Sequence, residues 1–188
     1  MRPIKRVVLG AIALMVQIAS VASAQRTPAR ARSAAVQHRS FWELGFDSGL
    51  SFGFTTPRVT TLSIPAASFR AGYWTSEVLS IEPFFGLNHV SAQGGGSFTT
   101  YQLGVGGLYH FSPERTRRQV YVRPFLTFVG VSTSGGGGSN SDIGVGVGAG
   151  LKWPKLGGRM ALRGEGNIET INSNTLLNFL FGFSFFTR

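Results

Sequence analysis

From Trp42 onward the chain alternates. Trp42, Leu44, Phe46, Leu50, Phe52 and Phe54 share one face of an extended segment, with Ser48 interrupting. Glu43, Gly45, Asp47, Gly49, Ser51 and Gly53 share the other. Period two marks a strand with unlike faces. Seven more segments repeat the pattern. The second sets Phe69, Ala71 and Tyr73 against Ser68, Arg70 and Gly72; Leu62 and Ile64 upstream have the opposite parity, which predicts a bulge or strand start near Pro65. The third sets Leu79, Ile81, Pro83, Phe85 and Leu87 against Glu82 and Phe84. The fourth carries Leu103, Val105 and Tyr109 against Gly104, Gly106, Leu108 and His110. The fifth carries Val120, Val122, Pro124, Leu126 and Phe128 against Tyr121, Arg123, Phe125 and Thr127. The sixth is Ile143 to Trp153, with Lys152 on the glycine face. The seventh sets Met160, Leu162 and Ile168 against Arg163, Glu165 and Asn167, and the eighth sets Leu177, Phe179, Phe181, Phe183 and Phe185 against Asn178, Leu180, Gly182 and Ser184.

The sixth segment contains Gly144-Val145-Gly146-Val147-Gly148-Ala149, which satisfies the G-x-G-x-x-G/A pattern of a dinucleotide-binding turn. That turn needs a strand before it and a helix after it. Here STSGGGGSNS precedes and LKWPKLGG follows, so neither condition holds. The stretch reads as a strand with valines on one face and almost no side chains on the other. Pro83 and Pro124, in the similar runs IEPFF and VRPFL, fall inside strands, where each must sit at a bulge or leave a ladder position unpaired.

Composition decides which face meets what. The 188 residues include 26 glycines and 16 phenylalanines but no cysteine, and charged residues are only 14%. A soluble domain carries about a quarter charged residues. The second face is too poor in charge for a solvated exterior, and the first is bulky and aromatic. The apolar face is therefore expected to meet lipid, and the small, charged face to fill a narrow lumen. Segments of ten or so alternating residues suit tilted strands crossing a bilayer. The glycines of GVGVGAG would make room for larger lumen side chains.

The net charge of +10 suggests nucleic acid at first sight, but residues 1–40 hold seven Lys or Arg and no acid. A nucleic-acid footprint belongs on the folded surface, so no nucleic-acid partner is expected. Arg2, Lys5 and Arg6, the apolar run Val7–Val16 and Ala22-Ser23-Ala24 form a secretory signal peptide over residues 1–24. Residues 25–40 read as a disordered basic periplasmic tail, and 41–188 as the barrel. With the N-terminus periplasmic, Trp42, Trp74 and Trp153 all fall at the periplasmic boundary, where an aromatic girdle belongs. Turns Thr75–Glu77, Ser112–Gln119 and Pro154–Gly158 would be periplasmic; loops Thr55–Thr61, Val90–Ser97, Ser132–Ser141 and Thr170–Asn174 would face outside.

The signal peptide, the eight alternating strands, the inward Arg70, Glu82, Arg123, Arg163 and Glu165, and the closing FLFGFSFF resemble the small outer-membrane barrels of the OmpA-like and OmpX-like class. The resemblance implies an all-β, eight-stranded antiparallel up-and-down transmembrane barrel in the outer membrane of a Gram-negative bacterium. It also implies lipid and lipopolysaccharide contacts, assembly through the C-terminal aromatic strand by the barrel-assembly machinery, and a monomer. A structural or surface-interaction role follows, with no enzymatic activity and no cofactor.

Two alternatives stand beside it. His89-Val90-Ser91 is similar to the His-x-Ser pair of lipid A deacylases, also eight-stranded barrels. The acid such a pair needs is missing: Gln102 and Leu103 stand near its expected place, and the next acid, Glu114, falls in a periplasmic turn. A narrow passive channel is the other; the glycine face would favour a wet gap, while Phe84, Phe125, Tyr121 and the arginines would close it. No catalytic, metal or cofactor-binding set is assigned. Hairpin arithmetic centred on Ser76 pairs Tyr73 with Leu79, Ala71 with Ile81, Phe69 with Pro83, and Arg70 with Glu82, predicting an Arg70–Glu82 bridge in the lumen that Arg123, Arg163 and Glu165 extend into a network.

Overall fold

The computed structural model describes residues 41–54, 60–92, 96–112, 117–133 and 139–187. The expected signal peptide, the basic tail and Glu114 lie outside the described residues. Eight strands follow one another: Trp42–Gly53 (β1), Thr60–Trp74 (β2), Leu79–Ala92 (β3), Gly96–His110 (β4), Gln119–Thr133 (β5), Ser139–Lys155 (β6), Met160–Ile171 (β7) and Asn174–Phe186 (β8). A 3-10 turn, Leu156–Gly158, joins β6 to β7. Each strand pairs antiparallel with the next, and β1 pairs with β8 from Glu43↔Phe186 to Gly53↔Leu176. The sheet is thus a closed up-and-down barrel without a free edge. At the seam, Thr187 N–H donates to the Trp42 carbonyl and its hydroxyl accepts from Trp42 N–H, both at 2.9 Å. The end holding this seam is called the terminal end below, and the opposite one the far end.

Alternation sorts the side chains as expected. Leu44, Phe69, Ile81, Leu103, Val147, Ile168 and Phe181 are exposed on the outer surface. Glu43, Asp47, Arg70, Glu82, Arg123, Lys152, Arg163 and Glu165 are buried inside. This is the inverse of a soluble domain, where charges are almost never fully buried unless paired.

The glycine face of β6 is explained by its neighbours. Tyr121, Arg123, Phe125 and Thr127 of β5 pair with Gly150, Gly148, Gly146 and Gly144 of β6. A Cβ on Gly150 would lie 2.3 Å from Tyr121 Oη, and one on Gly146 2.3 Å from Phe125 Cζ. Large side chains on one strand thus lie in the column left empty by the next. This is steric complementarity, as in any packed core.

Pro83 and Pro124 each interrupt a ladder. Pairing of β2 with β3 runs Phe69↔Phe85, Arg70↔Phe84 and then skips to Tyr73↔Ile81, a gap beside Pro83. Pairing of β4 with β5 skips from Gly106↔Phe125 to Tyr109↔Val122, a gap beside Pro124. A residue without N–H cannot complete either ladder. The parity change before Pro65 is a register shift: Asp47 pairs with Ser68, but Gly49 pairs with Ser63.

Three expectations need correction. The β2–β3 register is offset by two residues from hairpin arithmetic, because Thr75 and Ser76 N–H both bond the Leu79 carbonyl and centre the turn one residue later. Arg70 therefore faces Phe84 rather than Glu82; a shift of two keeps every side chain on its expected face. The loops are also shorter than their polar composition suggests. Val90–Ala92, Ser132–Thr133 and Ser139–Ser141 continue the strands, and β7 turns into β8 through Asn172 and Ser173 alone, both at positive φ (46° and 69°), the geometry that matches strand twist in a two-residue hairpin. The third correction, at Trp74, belongs to the lumen.

Candidate functional site in the barrel lumen

From Ser68 onward the even-numbered positions of β2 point inward, so Trp74 follows Arg70 and Gly72 into the lumen and not into an outer girdle. It is 2% exposed, stacked on Phe41 at 5.1 Å and on His110 at 4.2 Å. Its indole N–H donates to Glu43 Oε2 (3.1 Å), which also accepts from Lys152 Nζ at 2.7 Å. Lys152 lies over the Trp74 and Tyr121 rings, 5.3 and 5.5 Å from their centroids, within the range of cation–π attraction. Leu108, His110, Tyr121 and Lys152 are wholly buried. These groups seal the terminal end. Trp42, outward at 50% exposed and 5.1 Å from Tyr73, and Trp153 lie on the outer face near the terminal end.

Above this seal lies a charge network centred on Glu82. Its carboxylate accepts from Arg163 Nη1 (2.9 and 2.8 Å) and Arg70 Nη1 (3.3 Å), with Arg123 Nη1 at 3.7 Å. The Arg70–Glu82 bridge exists despite the offset register, because the long arginine spans the shift. Arg70 uses all five of its N–H donors. Nε donates to Asp47 Oδ2 (2.8 Å), Nη1 to Glu43 Oε1 (3.1 Å) and Glu82, and Nη2 to the Phe183 carbonyl (3.0 Å) and Ser184 Oγ (2.9 Å). Glu165 accepts from Arg123, Arg163 and the Tyr121 hydroxyl, and Tyr121 Oη in turn accepts from Arg163 Nε at 2.6 Å. Arg123 packs between the rings of Phe84 and Phe125, 5.1 and 4.7 Å from their centroids. Buried charges are tolerable when paired in this way; among the carboxylate oxygens of the network, Asp47 Oδ1 has no hydrogen-bond partner among the described residues.

Inward orientation of Arg70, Glu82, Arg123, Arg163 and Glu165 is thus as expected. Alternation places Glu43, Asp47, Lys152 and Tyr121 on the lumen face but not in the network. Only the register shows that they meet it.

Toward the far end the filling stops. A cavity of about 550 Å³ begins at Asp47, Arg70 and Arg123 and runs past Asn167 and Asn178 toward Thr100. Its polar lining is held differently. Glu169 bonds the Thr127 hydroxyl and, at 3.4 Å, the Asn178 amide; among the described residues no cation lies within salt-bridge distance of it. Asn178 also donates to Asn167 (2.9 Å).

The His89 and Ser91 positions lie in β3 at the far end, opposite Thr99 and Ser97 of β4. His89 Nδ1 is 2.7 Å from Thr99 Oγ1. Its recorded partner is a hydroxyl and not the carboxylate a triad base requires. Leu103 points outward and Gln102 lies on the opposite, lumen-facing side of β4. Among the described residues no His, Asp or Glu group has metal-site geometry.

No family model matches the chain, and no curated protein matches it. Solved structures do. Neisserial surface protein A is 16% identical, at a TM-score of 0.57 over 77% of this chain and 96% of that one. The fold is that of the small outer-membrane barrels. The N-terminal barrel domain of OprF from Pseudomonas aeruginosa (14% identity, TM-score 0.52, 79% and 100% covered) and Ail, the attachment invasion locus protein of Yersinia pestis (12%, 0.51, 80% and 99%), share it.

Proposed function

We propose that the chain is a non-enzymatic, integral outer-membrane barrel with a closed lumen and a structural or surface-interaction role. The observation that carries this is the inverted distribution of polarity: an apolar, aromatic exterior around a buried salt-bridge network. Strands of 12 to 17 residues are long enough to cross a bilayer when tilted. The seal of Phe41, Trp74, His110 and Tyr121 argues against a conducting pore, and the hydroxyl partner of His89 argues against a deacylase site.

Cell fractionation and bilayer recording test the reading. The mature chain is expected in the outer-membrane fraction, with gel migration that changes on boiling. In a planar bilayer it gives no discrete conductance steps. Recovery as a soluble periplasmic protein would sink the membrane assignment. Unitary steps would replace the closed lumen with a channel, and loss of a lipid A acyl chain that depends on Ser91 would restore the enzyme.

A further inference from the structure

The outer surface is apolar around most of its circumference, but at the terminal end of β5 and β6 it carries cations. Gln119 pairs with Lys152 and Val120 with Leu151. One step further, the same register sets Arg118 opposite Trp153. Trp153 and Lys155 share the outward parity of β6. Arg118 and Lys155 are exposed, and both line a shallow concavity together with Arg117, Trp153 and Pro154. The Trp153 ring lies back along the barrel wall, its Cζ3 only 3.5 Å from where a Cβ on Gly164 would stand. Val120 and Leu151 are the next pair toward the middle of the wall, and Leu162 is paired with Trp153 itself. Two cations flank an indole where the apolar band begins. The far-end hairpins differ: between the strands they carry only Arg58 as a charged residue.

We propose that Arg118, Lys155 and Trp153 form a site for the phosphate headgroup of an anionic phospholipid, with its acyl chains lying along Val120, Leu151 and Leu162. The inference rests on the membrane reading above. A guanidinium and an ammonium supply the charge-assisted bonds a phosphodiester accepts. The indole sits at headgroup depth, where its apolar body and polar N–H both find partners. A soluble anion would satisfy the cations but would leave the flanking apolar wall unused, so the lipid is the better occupant.

The test uses the refolded protein in phosphatidylcholine vesicles that hold a small fraction of brominated phosphatidylglycerol or, in parallel, brominated phosphatidylcholine. Trp42→Phe makes Trp153 the lipid-facing fluorophore, since Trp74 is shielded inside the barrel. Quenching of Trp153 by the anionic lipid is expected to exceed that by the zwitterionic one about fivefold, the scale of a basic side chain at a charged surface. Arg118→Gln with Lys155→Gln should bring the ratio to unity. Inorganic phosphate at matched ionic strength should leave it unchanged. Equal quenching by both lipids, or a ratio that survives the double substitution, overturns the site. Loss of the ratio to inorganic phosphate assigns the cations to a soluble anion and also overturns it. Heat-modifiable migration from the same vesicles separates the two levels: a barrel that inserts without lipid preference refutes only the site, and one that never inserts refutes the membrane reading as well.

Discussion

The lumen has two halves built on opposite rules. In the terminal half, charges and rings are packed so closely that Lys152 and Tyr121 have no exposed surface, and each carboxylate answers a cation. In the far half, polar groups line a cavity, and Glu169 is held by a hydroxyl and an amide. The same kind of side chain is therefore held by cations in one half and by neutral dipoles beside a cavity in the other. Removing one partner from a dry network strands the others. Removing a charge beside open space lets water or a neighbouring dipole take its place.

The largest expected effect comes from comparing two isosteric substitutions. Glu82→Gln leaves Arg70, Arg123 and Arg163 with one fewer carboxylate among them and should destabilise the barrel by about 3–5 kcal/mol. Glu169→Gln should change stability by no more than about 1 kcal/mol, because an amide can still bond Thr127 and Asn178. Urea unfolding of the refolded protein in lipid measures both. Equal losses would mean that the far cavity is as dry as the seal. Arg70→Gln combined with Glu82→Gln should be less than additive, since the two residues share a bridge and neighbours.

A smaller effect should follow from adding one methyl group to the packed half. Gly150→Ala puts a carbon 2.3 Å from Tyr121 Oη and 2.7 Å from the Gly164 carbonyl. Tyr121 is fixed by Glu165 and Arg163, so it cannot swing aside without breaking the network. A loss of about 1–3 kcal/mol is expected. Gly107→Ala is the control: it faces outward with nothing within 4 Å of the added atom, and it should be neutral or slightly stabilising. If both are neutral, the glycine column of β6 is not there for room.

Much of this division could be read from sequence, and the parts that could not share a cause. Strict alternation identified all eight strands and both faces, and the chemistry of proline located the ladder gaps at Pro83 and Pro124. Those are properties of single strands. Relations between strands depend on turns, and four residues between Trp74 and Leu79 allow more than one register; the actual one differs from simple counting by two. The Arg70–Glu82 bridge survived that error because a shift of two preserves faces and arginine is long. Membership of Glu43, Asp47 and Lys152 in the network did not follow, since it joins strands far apart in sequence. Trp74 is different: Arg70 and Gly72 already marked its parity as inward, and the general preference of tryptophan for membrane boundaries outweighed that local signal. The glycine face favoured a wet gap somewhere in the lumen, but not its place at the far end, because emptiness depends on how side chains from every strand sum.

The smallest expected effect concerns His110, in the packed half. His110 is wholly buried against Trp74 and Tyr121, yet neither ring nitrogen has a hydrogen-bond partner among the described residues. A buried polar atom without a partner costs stability that an apolar atom in the same place would not. His110→Phe keeps an aromatic ring on Trp74 and removes both nitrogens, while its larger ring adds some crowding. The two terms oppose each other, so the net change should be small: between zero and about 1 kcal/mol of added stability. Asn178→Leu is the counterpart in the far half. It removes the amide that serves both Asn167 and Glu169 and should cost about 1 kcal/mol. Opposite signs for two polar-to-apolar changes would follow from the difference between the halves: polarity is surplus at His110 and in use at Asn178. A loss of more than about 2 kcal/mol at His110 would instead reveal a trapped water bonded to its nitrogens, and the terminal half could then no longer be described as dry.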